Sequence, residues 1–256
     1  MHAERHDGRT VLALGGSERV PFLQGLVTND LERLSEGLVY AAMLTPQGKY
    51  LADFFVKDDG ARLLVDVATP LAADLAKRLK MYKLRADVTL EVSGLHALRG
   101  LGDAPDGALP DPRHPALGWR LYAETPGEAP TTDWEALRVA HCIPESGVEL
   151  VPNDTFVLEA GFERLNGVDF HKGCYVGQEV TARMKHKTEL RKGLDTVSVS
   201  GAAPPPGTEI TRDGKSAGTL YTVAGGKGIA FLRFGRAGEG MEAGGVTVDW
   251  APSQAA

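Results

Sequence analysis

Three apolar runs, residues 38–44, 50–56 and 62–67, are separated only by the turns Pro46-Gln47-Gly48-Lys49 and Asp58-Asp59-Gly60. Connections this short join neighbouring antiparallel strands, so the segment reads as a β-meander. Within the middle run, Phe54 and Phe55 break the alternation of a half-exposed strand, which implies cover on both faces. Asp53 sits among these residues. On a solvated face it needs nothing; under cover it needs partners, because an unpaired buried charge is expensive.

The rest of the chain alternates helices and strands. A strand over 11–14 leads to a helix through Leu26 with Ser17 as its N-cap. A stronger helix over 70–83 places Leu71, Leu75 and Leu79 on one stripe. Strands follow at 88–92, 96–101 and 118–124, with a proline-rich loop over 102–115. A second helix starts at Thr132, where Thr132 and Glu135 form a capping-box pattern, and ends before Pro144. Residues 156–159 read as a strand. Beyond Gly193 the texture changes to short β runs at 196–199, 209–211, 218–223, 229–234 and 246–250, punctuated by glycine. That spacing suits a small antiparallel barrel. The expected organisation is therefore an α+β core over 1–192 and a barrel over 193–256.

Residues 166–187 hold the densest chemistry. Gly173 and Gly177 bracket Cys174, and Val176, Val180 and Met184 recur on one helical face. A helix starting near Val176 sets the Cys174 sulfur close to a helix N-terminus, where the dipole and the Lys172 ammonium favour a thiolate. Gly173 suggests a backbone turn that a side chain would resist. Arg183, Lys185, Lys187, Arg191 and Lys192 form a basic face, which suits either a solvated helix end or an anionic ligand such as a polyglutamate tail. His171, Cys174, His141 and Cys142 fall short of a structural zinc pattern, so no metal site is expected.

Composition narrows the class. A net charge of −6 argues against direct nucleic-acid binding. No apolar run reaches the ~18 residues of a membrane span. The polar, acid-containing start resembles neither a signal nor a transit peptide. With only Cys142 and Cys174, a reducing cytoplasm is the expected location.

Lys172-Gly173-Cys174-Tyr175-Val176-Gly177-Gln178-Glu179 is similar to the Lys-Gly-Cys-Tyr-x-Gly-Gln-Glu signature of the YgfZ-type folate-binding proteins. These are relatives of the aminomethyltransferase (T-protein) of the glycine cleavage system. Phe22-Leu23-Gln24-Gly25 with Thr28-Asn29-Asp30 resembles the family's early segment, and Leu44 to Lys49 with the Asp53 strand resembles its meander. Leu137-Arg138 through Ile143-Pro144-Glu145 resembles the segment before the cysteine loop. The resemblance implies two interleaved α+β lobes and a C-terminal antiparallel β-barrel around a central channel that takes tetrahydrofolate or a derivative.

It also implies a role in assembling or repairing iron–sulfur clusters in client enzymes, including radical enzymes that modify tRNA. Cys174 becomes the expected working thiol, with Lys172, Gly173, Tyr175, Gly177, Gln178 and Glu179 shaping its loop. Asp53 falls where T-proteins keep the acid that acts on folate. Glu159 and Arg183 join it as candidate folate contacts. T-proteins carry Leu-Arg-x-Glu-Ala-Gly with a pterin-binding glutamate; the position aligned with that glutamate is Ala140. The alternatives are a tetrahydrofolate-dependent transferase or demethylase using Asp53, and a non-catalytic module that docks a client. The expected partners are folate and iron–sulfur client enzymes or assembly factors, with no membrane, and the chain is expected to be a monomer.

Overall fold

A computed structural model describes residues 3–187 and 189–252. The chain begins with β1 (Glu4–Arg5) and β2 (Arg9–Gly15), then α1 (Arg19–Gln24) and a 3-10 turn at Leu31–Ser35. The meander is β3 (Val39–Leu44), β4 (Tyr50–Asp58) and β5 (Leu63–Ala68), followed by α2 (Thr69–Lys83). Next come β6 (Thr89–Val92), β7 (His96–Gly100), β8 (Leu109–Pro110), β9 (Trp119–Ala123), α3 (Trp134–Ala140) and α4 (Gln178–Lys187). The last strands are β10 (Lys192–Ser200), β11 (Thr208–Arg212), β12 (Lys215–Ala224), β13 (Lys227–Arg233), β14 (Met241–Ala243) and β15 (Val246–Asp249).

Two antiparallel sheets and a closed barrel result. The first sheet runs β3-β4-β5-β2-β6 and the second β1-β7-β9-β8. Their segments interleave, because β1 precedes the whole first sheet yet pairs with β7. The barrel order is β10-β13-β12-β11-β14-β15. In β4, Phe54 packs into the core beneath α1 and α2, while Phe55 packs into the core on the other face with Tyr40, Tyr50 and Tyr175. Both faces are covered, and Asp53 is buried rather than on a solvated face. The barrel mounts on the core through buried polar contacts. Arg138 of α3 pairs with Glu149, whose Oε1 accepts from Thr222 Oγ1 of β12 at 2.7 Å. Among the described residues no helix is long and apolar enough to cross a membrane.

Four local expectations are overturned, two of them by long-range contacts. Glu18, not Ser17, is the N-cap of α1, because Ser17 turns away to Asp87 at 2.7 Å. Asp133, not Thr132, caps α3, accepting from Ala136 N–H at 2.8 Å. Thr132 instead donates its hydroxyl to Glu4. Residues 156–159 form turns, with only an isolated bridge between Lys49 and Phe156. The last helix starts at Gln178, two residues later than its apolar period suggests.

The strand β1 is held by one carboxylate. Glu4 accepts from the backbone and hydroxyls of Thr131 and Thr132 and from Trp134 Nε1 at 2.6 Å. Burial opposes the charge, but these donors outweigh it and hold the carboxyl at about 2. A depressed carboxyl stabilises the fold above its unfolded value near 4.5 and loses that contribution as pH falls towards 2. Thermal melts between pH 6 and 3 will therefore show a steeper loss in the wild type than in Glu4→Gln. Parallel curves would mean that Glu4 does not carry this linkage.

Candidate functional site

The cysteine loop is stitched to the segment after α1. Thr28 donates its hydroxyl to Gly167 O at 2.6 Å, and Asn29 Nδ2 donates to Asn166 O at 2.7 Å and Tyr40 O at 2.8 Å. Asp169 turns the backbone by accepting from the His171 and Lys172 N–H groups. Lys172 then enters the protein. Its Nζ donates to the backbone carbonyls of Gln24 (2.8 Å), Val27 (2.6 Å) and Asn29 (2.9 Å). A tetrahedral ammonium has three donors, so this cage satisfies all of them. Burial pulls the Lys172 amine down to about 8, with Asp30 and Asp169 opposing.

Tyr175 is buried on the other side of the cysteine, its ring 5.2 Å from Lys172 Nζ. Cys174 lies exposed between these two buried anchors. The structure thus corrects the role expected for Lys172: its charge points inward to carbonyls and holds the loop. Gly173 is also corrected, since it has no left-handed φ and an added Cβ there would meet nothing. Gly177 is the position that requires glycine. Its φ is +86°, and a Cβ would lie 2.6 Å from Thr45 O. Gly48 in the meander turn is equally constrained, 2.8 Å from Val180 Cβ. Two glycines from distant segments therefore let the cysteine motif seat on the β3–β4 turn.

Gln178 opens α4, and Glu179 on its exposed side pairs with Arg183 at 2.8 Å. Arg183 is thus engaged on its own helix. Lys185 pairs with Glu163. The Lys187 side chain lies outside what is described.

Asp53 belongs to a separate place, a cavity of about 180 Å3 whose lining includes His6, Arg9, Arg99, Arg113, Trp134 and Ser146. Its carboxylate accepts from Tyr40 Oη (3.0 Å), Tyr50 Oη (2.6 Å) and Ser146 Oγ (2.5 Å). Behind the lining, Asp66 accepts from Arg9 Nε at 2.7 Å and from Arg120 Nη2, while Asp111 takes a bidentate pair from Arg113. The Arg120 guanidinium lies 3.9 Å and that of Arg113 4.7 Å from the Phe55 ring centre. Glu159 is elsewhere again. It lines a smaller cavity of about 90 Å3 against the barrel, with Lys192 Nζ at 3.5 Å, and burial raises its carboxyl despite that lysine.

The expected residues therefore divide among three places: Cys174 on the surface loop, Asp53 in the arginine-lined cavity, and Glu159 at the barrel seam. Sequence reasoning missed Arg9, Arg99, Arg113 and Arg120, which come from separate segments with no common spacing. Only an arginine within an apolar strand, Arg120 between Trp119 and Leu121, hinted at them. Among the described residues no group of three or more His, Cys, Asp or Glu side chains is placed to hold a metal. His141 stacks on His114 at 4.1 Å, and burial pushes the Cys142 thiol up to about 12.

Comparison with known proteins fits this geometry. The glycine cleavage system aminomethyltransferase T of Bartonella henselae superposes with a TM-score of 0.74 over 96% of this chain and 84% of that one, at 13% identity. Residues 191–256 match the model of the CAF17 C-terminal beta-barrel domain. Fold and cysteine loop together define a T-protein-like protein with a six-stranded C-terminal barrel.

The mouse mitochondrial iron–sulfur cluster assembly factor IBA57 is 31% identical over 90% of this chain and 76% of its own length. The human protein is 30% identical over 89% and 76%. The chain belongs to the IBA57 family. These relatives also correct the expected cytoplasmic location, since they are named as mitochondrial proteins. A low cysteine count separates reducing from oxidising compartments and does not say which reducing compartment applies.

Proposed function

We propose that this chain acts in the assembly or repair of iron–sulfur clusters, with Cys174 as its working thiol. The observation that carries this reading is an exposed cysteine held between a caged lysine and a buried tyrosine on a loop with little freedom. Such a thiol is presented to a partner rather than enclosed, and it supplies one ligand to iron in transit while a client or assembly factor supplies the others. The IBA57 relatives support the process, and their mitochondrial setting replaces the cytoplasm in this reading. Radical enzymes that modify tRNA are the client class drawn from the resemblance.

Tetrahydrofolate, the cofactor the resemblance implies, fits the Asp53 cavity poorly. Its volume of about 180 Å3 falls below the ~300 Å3 at which ligand pockets of ordinary size begin. Asp53 already accepts three hydroxyls, and the other carboxylates of the lining, Glu135 and Glu145, sit at its exposed side beside Arg138, so the enclosed part offers no free acceptor to the N–H edge of a pterin. No step of the reading runs through folate, and the transferase alternative based on Asp53 is weaker for the same reason.

Complementation separates the two. In cells lacking this protein, Cys174→Ala will fold and melt like the wild type yet fail to restore iron–sulfur enzyme activity and tRNA modification. Asp53→Asn will restore them in proportion to its folded fraction. The reverse pattern would sink the thiol reading and favour the transferase.

A further inference from the structure

Buried or half-buried guanidiniums are normally paired, because an unpaired charge out of water is costly. Around the Asp53 cavity most of them are. Arg9 bonds Asp66 through Nε and Nη2, and Arg113 bonds Asp111 through Nε and Nη2. Arg120 bridges Asp66 and Asp111, and Arg138 is surrounded by Glu135, Glu145 and Glu149. Arg99 differs. It lines the same cavity, yet no carboxylate among the described residues lies within ion-pairing distance. Its guanidinium rests 4.3 Å from the Trp134 ring centre, and its buried Nε has no hydrogen-bond partner.

The surroundings make that vacancy electrostatic. Burial, then Arg120, pulls the Arg99 guanidinium down to about 9, with Glu145 and Glu4 opposing from beyond ion-pairing distance. Burial and the converging charges of Arg120, Arg99, Arg9 and Arg113 push the His6 imidazole well below its ordinary range, so it is neutral. A wall of donors with one unmatched cation is what an anion would complete. We propose that this cavity binds a small oxyanion, a carboxylate or a phosphate, with Arg99 as its principal cation and Arg9 and Arg113 flanking it.

Size and charge narrow the ligand further. The cavity holds the volume of about six waters, enough for inorganic phosphate or a short carboxylic acid. Glu135 and Glu145 also line it, with side chains 61% and 53% exposed, so highly charged polyanions are repelled. Arg99 approaches its ligand with a planar fork suited to two oxygens of one group. The site stands apart from the thiol reading, because no residue of the cysteine loop lines this cavity.

The test is calorimetric titration of the whole chain at low ionic strength with inorganic phosphate, citrate and p-aminobenzoylglutamate. At least one will bind with a stoichiometry near one. Arg99→Gln will weaken it by about ten- to a hundredfold, the loss of a charged hydrogen bond. Arg99→Lys will retain part of the affinity, and Cys174→Ala all of it. Binding of p-aminobenzoylglutamate alone identifies a carboxylate carried on a larger molecule as the source, and binding of phosphate or citrate alone identifies a free anion. If Arg99→Gln does not fold, the exposed Glu135→Gln decides: tighter binding upholds the site and unchanged affinity overturns it. Absence of binding by all three probes, or equal binding by a folded Arg99→Gln, overturns the proposal and leaves the thiol reading untouched.

Discussion

Asp66→Asn will cost about 3–5 kcal/mol of stability, the range for removing one partner of a buried charge pair. Asp66 is fully buried and receives Arg9, Arg120 and the Tyr122 hydroxyl. Burial opposes its charge, but the two arginines hold its carboxyl below the usual range. A neutral amide leaves Arg9 without its carboxylate and Arg120 with only Asp111, at 3.6 Å. At 2–4 °C per kcal/mol, the melting temperature should fall by about 6–20 °C. Arg120→Met should cost less, because Asp66 keeps Arg9 and Asp111 keeps its bidentate pair with Arg113. Chemical denaturation of both variants checks the order. A larger loss in Arg120→Met would show that the arginine's packing on Phe55, rather than charge balance, is what the network supplies.

Lys172→Met will destabilise the fold by about 3 kcal/mol, because three carbonyls lose their donor while the aliphatic stem stays filled. Arginine should not rescue it. A planar guanidinium is too wide for three carbonyls that converge on one nitrogen. The same cage holds the cysteine loop against the segment after α1, so the variant should also lose cluster function while retaining the Cys174 thiol. Urea unfolding combined with thiol labelling distinguishes the effects. A stability change below about 1 kcal/mol would mean the cage is solvated and contributes little.

Much of the fold was legible because its signals are local. Short turns fixed the meander, and the Phe54-Phe55 pair announced that both sheet faces are covered. Glycine spacing marked the barrel strands. The two misread caps share one cause. Ser17 and Thr132 each carry a capping signature, but Asp87 and Glu4, far away in sequence, claim their hydroxyls. The site divides in the same way. Cys174 stood out within one contiguous octapeptide, whereas the arginine cavity is assembled from β2, β4, β7, α3 and the loops around Arg113 and Ser146. Gly173 and Gly177 look alike in the sequence, and only the approach of Thr45 O separates a convenient glycine from a required one.

The pairing of β1 with β7 has a temporal consequence. During synthesis residues 4–6 leave the ribosome well ahead of their partners: Leu98, Arg99 and Glu128 and the donors from Thr131 to Trp134 appear more than ninety residues later. The early segment must wait undocked while the first sheet forms. Closure across so long a separation is slow. His6 joins the arginine cavity only when that strand docks, so the cavity is among the last parts of the core to mature during synthesis.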